Sequence, residues 1–263
     1  MFRGDHPDLN RTIGRALALA RDLGHPRTGS EHLLAALATG SPADQPRTDG
    51  PRTDAPGADA LGADGPRTDA PLVAVLRRHG ATPSAIRDAA HLAAPLGAGG
   101  AADRVVLAPL GVDLDRLLGR GGAPALDRPA GREPLLPFGA ARARRRCARL
   151  DPPLGLDAQA SYSASLRLAL ARREREHRPE HLALALTALD PGVAWVLKTA
   201  GVDRPALLAD LAATFPPPRR NPLLTAERRL GHHVRLRDLV RRYQRTTGRA
   251  VTSVDALPAL IRG

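Results

Sequence analysis

One helix start is written twice in this chain. Thr28-Gly29-Ser30-Glu31-His32-Leu33-Leu34-Ala35-Ala36-Leu37 has a near copy in Arg178-Pro179-Glu180-His181-Leu182-Ala183-Leu184-Ala185-Leu186. Both place Glu-His at the head of a Leu/Ala run, and an apolar, Arg-punctuated helix pattern precedes each. Thr28 and Glu31 stand three apart, the spacing at which a hydroxyl and a carboxylate cap a helix reciprocally. Pro179 falls where a first-turn proline loses no needed amide hydrogen. Two starts of one design predict an internal duplication.

The offsets between the copies locate an insertion. Glu31-His32 and Glu180-His181 are 149 positions apart, whereas Val75-Leu76-Arg77-Arg78-His79-Gly80 and Val196-Leu197-Lys198-Thr199-Ala200-Gly201 are 121 apart. The difference nearly equals the length of a tract from Ser41 to about Ala70, made of Pro, Gly, Ala, Asp and Arg and carrying Pro-Arg-Thr-Asp three times (46–49, 51–54, 66–69). Such a tract lacks the apolar surface to offset ordering entropy and is predicted to be a disordered loop. Each repeat then holds four helices: 10–23, 31–39, 72–79 and 83–93 in residues 1–95, and 160–176, 180–189, 192–200 and 204–213 in residues 151–215.

Between the repeats, residues 96–150 form a linker. Val106-Leu107-Ala108-Pro109-Leu110-Gly111-Val112-Asp113 echoes the ending of the third helix, Val196 to Asp203, and predicts a partial helical hairpin. A Gly/Pro-rich stretch (119–137) follows, and then an arginine cluster: Arg142, Arg144, Arg145, Arg146 and Arg149. Pro216-Pro217-Pro218 opens a basic tail (216–263). There Leu236, Leu239, Val240 and Tyr243 share one side of a helix, with Arg235, Arg237, Arg241, Arg242 and Arg245 around them; Ser253 caps a last short helix to Ile261. Only 2% of residues are aromatic, so the core is built from Leu, Ala and Val, which favour helix. The fold class read from this is all-α.

Charge is uneven. Of the net +12, the two repeat regions contribute almost nothing, while residues 101–150 carry 10 basic against 5 acidic groups and residues 216–263 carry 11 against 3. The basic segments suggest an anion-binding cluster (Arg142, Arg144, Arg145, Arg146, Arg149, Arg241, Arg242, Arg245). That gives a second functional reading, salt-sensitive nucleic-acid binding. With Tyr243 the sole aromatic of the tail, base stacking is nearly unavailable to it. No apolar run has the length of a membrane span and Met1-Phe2-Arg3-Gly4-Asp5 does not open a signal peptide, so a cytoplasmic protein without membrane partners is expected.

Gly24-His25-Pro26-Arg27-Thr28-Gly29-Ser30-Glu31-His32-Leu33-Leu34 resembles the Gly-His-x-x-x-Gly-Thr-Glu-His-Leu-Leu signature of the Clp N-terminal repeat, the domain that precedes the ATPase modules of Clp/Hsp100 unfoldases. The Val-Leu-x-x-x-Gly-Val-Asp ending at 196–203 resembles it too, and the likeness covers about residues 1–215. Repeat two departs from the signature, with Glu174-Arg175-Glu176-His177-Arg178-Pro179 at the Gly-His and Gly-Thr positions. Pro137-Phe138 with the arginine cluster resembles the usual opening of the second repeat but lies about 16 residues too far upstream of Glu180, so the first helix of that repeat is expected to be interrupted or rebuilt. The resemblance implies a pseudo-twofold bundle of two four-helix repeats and a non-catalytic role. That role is an adaptor, substrate-capture or regulatory module whose partner is a Clp unfoldase or peptidase, an adaptor or a substrate. It also implies, from the ClpC-type branch, that Glu31 and Glu180 help recognise phosphorylated arginine.

Catalytic signatures are missing. A phosphate-binding loop needs Gly-Lys-Ser/Thr, and the only lysine stands in Val196-Leu197-Lys198-Thr199, without that glycine. His177 and His181 have helical ligand spacing, but Pro179 lies between them and no third ligand is apparent. Cys147 has arginine neighbours that favour the thiolate but no evident base. No catalytic residue, cofactor or metal is assigned.

Overall fold

A computed structural model describes residues 2–40, 69–119, 145, 147–218 and 234–251. Residues 41–68 of the Pro-Arg-Thr-Asp tract, most of the Gly/Pro linker, Arg142, Arg144 and Arg146, and the short helix expected after Ser253 lie outside the described residues, while Asp69 and Ala70, the end of the expected loop, are helical. What is described is all-α, with eleven α-helices and no strand beyond two isolated bridges. They are α1 (Pro7–Asp22), α2 (Ser30–Thr39), α3 (Asp69–Arg78), α4 (Pro83–Ala93), α5 (Gly97–Leu107), α6 (Leu114–Leu118), α7 (Leu156–Ala171), α8 (Pro179–Leu189), α9 (Pro191–Thr199), α10 (Arg204–Thr214) and α11 (Val234–Thr247); a 3₁₀ turn, Ala108–Leu110, joins α5 to α6.

The two Glu-led helices form the centre. In α2 every residue from Ser30 to Ala38 is buried, and in α8 every residue is. A helix apolar on all sides is stable only when other helices surround it. Accordingly α1, α3 and α4 pack around α2, α7 and α10 around α8, and α2 touches α8. Among the described residues no single helix is long and apolar enough to cross a membrane; α8 and α9 together have the composition, but they bend by 86° and α8 is wholly buried.

Helices α1 and α7 are each 16 residues long and start 149 positions apart. The seventh helix is thus intact, neither interrupted nor rebuilt. It ends earlier than the apolar pattern suggests, at Ala171, because Arg173 adopts φ 56°. Gly24 does the same after α1 with φ 65°. Both ends close alike: the Gly24 and His25 amides donate to the Arg21 and Ala20 carbonyls (2.9 and 2.9 Å), and the Arg173 and Glu174 amides to Leu170 and Ala169 (3.1 and 3.0 Å). This is the left-handed helix ending that satisfies otherwise orphaned carbonyls.

The connection from first to second helix crosses to the other half of the molecule. Bridges form between Asp5 and His177 and between Thr28 and Leu154. The amide of His6 donates to the His177 carbonyl at 2.8 Å and that of Gly155 to Thr28 at 2.9 Å. The His177 amide donates to Gly4 at 2.9 Å and the Thr28 amide to Pro153 at 2.8 Å.

Tail helix α11 packs on α7 and is no free appendage. Leu239, Val240 and Tyr243, three of the four positions read as its apolar side, are buried. Beyond it, Arg249 donates to both oxygens of Asp103 at 2.7–3.0 Å. Trp195 is half-buried at the edge of the core.

Candidate functional site

Each Glu-led helix starts with the same backbone device, and it is not the expected one. In α2 the N-cap is Gly29, whose amide donates to His32 Nδ1 at 2.9 Å; in α8 the Arg178 amide donates to His181 Nδ1 at 3.0 Å. The histidine of Glu-His, three residues past the cap, does the capping. The Thr28–Glu31 box is therefore a correction: Thr28 Oγ1 faces the Pro152 carbonyl instead, at 3.5 Å. Pro179 is the first-turn proline the sequence suggests.

Glu31, freed from capping, is 1% exposed. Its carboxylate curls back over Gly29, where a Cβ would sit 2.7 Å from the carboxylate carbon, and Oε1 lies 3.3 Å from His32 Nδ1. Burial pushes its pKa up to about 7; nearby Asp157 adds to the rise, and the amides of Glu31 and Ala98 and the Arg27 guanidinium oppose it. His25 Nδ1 and His32 Nε2 are hydrogen-bonded at 2.9 Å. Burial holds both imidazoles neutral, at about 4.

Glu180 is also buried, and its pKa is raised chiefly by burial, against His181 and Arg178. His181 Nε2 lies 3.0 Å from Glu174 Oε1, and the buried Arg172 guanidinium reaches Glu174 at 3.8 Å and donates to the Phe215 carbonyl at 2.9 Å. The two glutamates thus have separate sets of neighbours, and both residues are buried, at 1% and 8% exposed.

The same three positions gather potential ligand atoms in each half: His25, Glu31 and His32, and Glu174, Glu180 and His181, each within 4.8 Å. Sequence reasoning missed both sets, which the fold assembles from a turn and the helix after it. In the first, His32 Nδ1 accepts from the Gly29 amide, so Nε2 of that neutral ring carries the proton and donates to His25 Nδ1, and neither nitrogen of the His25–His32 bond is free to bind a cation. His177 is not a partner of His181 in this; its nitrogens are engaged elsewhere.

Those engagements form a relay that no motif announces. His177 Nδ1 lies 2.8 Å from Asp5 Oδ1, His177 Nε2 lies 2.8 Å from Ser165 Oγ, and Tyr162 donates to Asp5 Oδ2. The order Ser-His-Asp matches a hydrolytic triad. Its surroundings do not: Ser165 and His177 are fully buried, and Ser165 Oγ also reaches the Tyr162 carbonyl at 2.8 Å, so no substrate carbonyl can approach. The relay ties the amino-terminal segment across to the turn before α8. A second buried network joins Asp190 to Ser161 (3.0 Å), Tyr243 (2.9 Å) and the Val193 amide (2.9 Å); burial and Asp157 raise Asp190 to about 6.

Of the arginine cluster, Arg145 and Arg149 are exposed, as are Arg241, Arg242 and Arg245 on α11, while Arg142, Arg144 and Arg146 lie outside the described residues. Cys147 is half-buried, and burial pushes its thiol up, not toward the thiolate that the neighbouring arginines suggest. In comparisons with known proteins, no family model matches the chain, and no curated protein or solved structure matches it significantly.

Proposed function

We propose that the chain is a non-catalytic protein-interaction module of the Clp N-terminal type, an adaptor, substrate-capture or regulatory protein for a Clp chaperone–protease. In this reading residues 1–95 and 151–215 are two copies of one four-helix repeat related by a pseudo-twofold axis. The observation that carries it is the exchange of backbone bonds between the halves. His6 to His177 and Gly155 to Thr28 join positions that swap with one another under the 149-residue offset, as do His177 to Gly4 and Thr28 to Pro153. A two-fold relation requires such reciprocity. The signature Glu-His-Leu helices stand at the centre of that arrangement.

The phosphoarginine reading of Glu31 and Glu180 gains no support from two buried carboxylates with separate neighbours. Recognition of a guanidinium there would require the side chains to turn outward. The partner is tested by affinity capture from native cytosol with mass spectrometry, using the full chain and a form lacking residues 216–263. Enrichment of a Clp ATPase, peptidase or adaptor is expected; recovery of none of these removes the proposal. Random duplex DNA in a gel shift at physiological salt separates the nucleic-acid alternative, which requires binding that is lost without the tail.

A further inference from the structure

We propose that residues 97–119 form an interface through which two copies of this chain pair. The proposal rests on the build of one helical hairpin and not on the family reading above.

The hairpin α5–α6 is put together as α3–α4 and α9–α10 are. A glycine with φ 77°, 73° and 73° turns each of them, at Gly80, Gly111 and Gly201. Its amide donates to Arg77, Ala108 or Lys198 at 2.9–3.1 Å, and the next amide donates to Leu76, Leu107 or Leu197 at 2.8–3.3 Å. The side chain of Thr82, Asp113 or Asp203 then caps the following helix through the amide of Ala85, Arg116 or Ala206. Three stretches of chain thus make the same unit.

Equivalent side chains meet opposite fates. Val75 and Val196 are 2% and 0% exposed, but Val106 is 68% exposed. Ile86 and Leu207 are both 0% exposed, but Leu117 is 71% exposed. The first two hairpins lie on the central helices α2 and α8; the third has no Glu-led helix of its own. Helix α5 is held through its first half, where Gly97 to Ala102 are buried and α9 is the main neighbour. Its apolar stripe of Ala98, Ala101 and Ala102 continues at helical spacing to Val105 and Val106, which are exposed and which no other described residue buries.

Two observations identify the occupant as a second copy. Hairpins of this kind already pair in the fold, with α3 on α10 and α4 on α9, the third helix of one unit against the fourth of the other. A contact of that crossed form between two identical hairpins closes on a two-fold axis. The rim also carries no net charge. Arg104, Arg116, Asp113 and Asp115 are balanced in sign, and Arg104 bonds Asp115 at 2.7 Å, so the patch meets its own copy without net repulsion despite a chain charge of +12.

Sedimentation velocity of the full chain from about 1 to about 100 µM should show mass action between monomer and dimer. Val106→Asp with Leu117→Asp should raise the dissociation constant about 100-fold. Both side chains are exposed in the single chain, so at concentrations where the wild type is monomeric the circular dichroism and urea midpoint of the variant should match it. Leu170→Asp, at an exposed position on α7, should leave the dimer intact. With Cys147→Ser as background, Leu110→Cys should cross-link two copies under mild oxidation. A wild type that stays monomeric throughout overturns the proposal, and so does a dimer that survives the double substitution. A monomer that binds an apolar dye, and loses it on Val106→Asp, assigns the face to a different partner and overturns it equally.

Discussion

Residues 24–32 and 173–181 follow one backbone course and carry different side chains along it. Both leave a helix through a left-handed residue, both bond across to the opposite half, and both start a buried helix under a histidine cap. Yet His25 stands where the second turn has Glu174, and Gly29 where it has Arg178. The first turn sets its glutamate beside the neutral imidazoles of His25 and His32, with Arg27 and Asp157 nearby, and folds the carboxylate inward. The second sets its glutamate among His181, Arg178 and Glu174. Backbone bonds and a histidine cap suffice to shape the turn, which leaves each glutamate's electrostatic setting free to differ.

Four pairs of substitutions probe how deep that likeness goes. The largest effect is expected in the central helices. Leu33→Ala and Leu182→Ala, both essentially unexposed, should each cost about 2–5 kcal/mol in urea unfolding. A cost at one of them but not the other would show that the two helices do not share one core role.

A smaller effect follows from the buried carboxylates. Glu31 has a folded pKa of about 7 against an ordinary 4.5, so the folded state holds its proton more tightly than the unfolded one. Its contribution is most favourable below about pH 4.5 and is lost as pH rises through 7. Glu31→Gln should therefore gain on wild type between pH 5 and pH 8, by up to about 3 kcal/mol. Taking the difference from wild type isolates Glu31 from His25 and His32, whose depressed pKa values make acid destabilising as pH falls from 6.5 toward 4. Glu180→Gln should show the same sign with a smaller size, because Arg178 and His181 offset its burial. A urea midpoint gap that is flat with pH at position 31 would contradict the inward carboxylate.

Next comes the cap position. Gly29→Ala should cost about 1–3 kcal/mol, because the new Cβ overlaps the Glu31 carboxylate, and adding Glu31→Ala should relieve most of the loss. Arg178→Ala, at the matching place, should cost under about 1 kcal/mol. The smallest effect lies at the helix ends. Arg173→Gly should stabilise by about 1 kcal/mol, since a side chain is strained at φ 56°, and Gly24→Ala should lose a similar amount. Thermal melts of the pair check both signs.

Much of the helical layout was legible beforehand. Apolar spacing put α4 at 83–93, where it is, and came within a few residues for α2, α3, α8, α9 and α10. It failed on α7, read as 160–176 and found at Leu156–Ala171, because the stop is an arginine in a left-handed conformation and carries no glycine or proline signal. It also gave the cap to Glu31 when His32 holds it, since the two residues are adjacent and either side chain has the reach. The tail's apolar side was visible as a pattern, but the partner that buries Tyr243, Asp190, lies 53 residues away.

The sequence by itself determined which stretches become helices, where they start and how far apart matching positions fall, because periodicity and turn residues act over a few positions. Only the tertiary structure decided what those helices present. Ser165, His177 and Asp5 meet, Arg249 clasps Asp103, Glu31 turns inward, and Val106 and Leu117 stay bare while their counterparts are covered. Each outcome depends on which segment, often more than a hundred residues away, arrives alongside. That is settled by the packing of the whole bundle and by no local pattern.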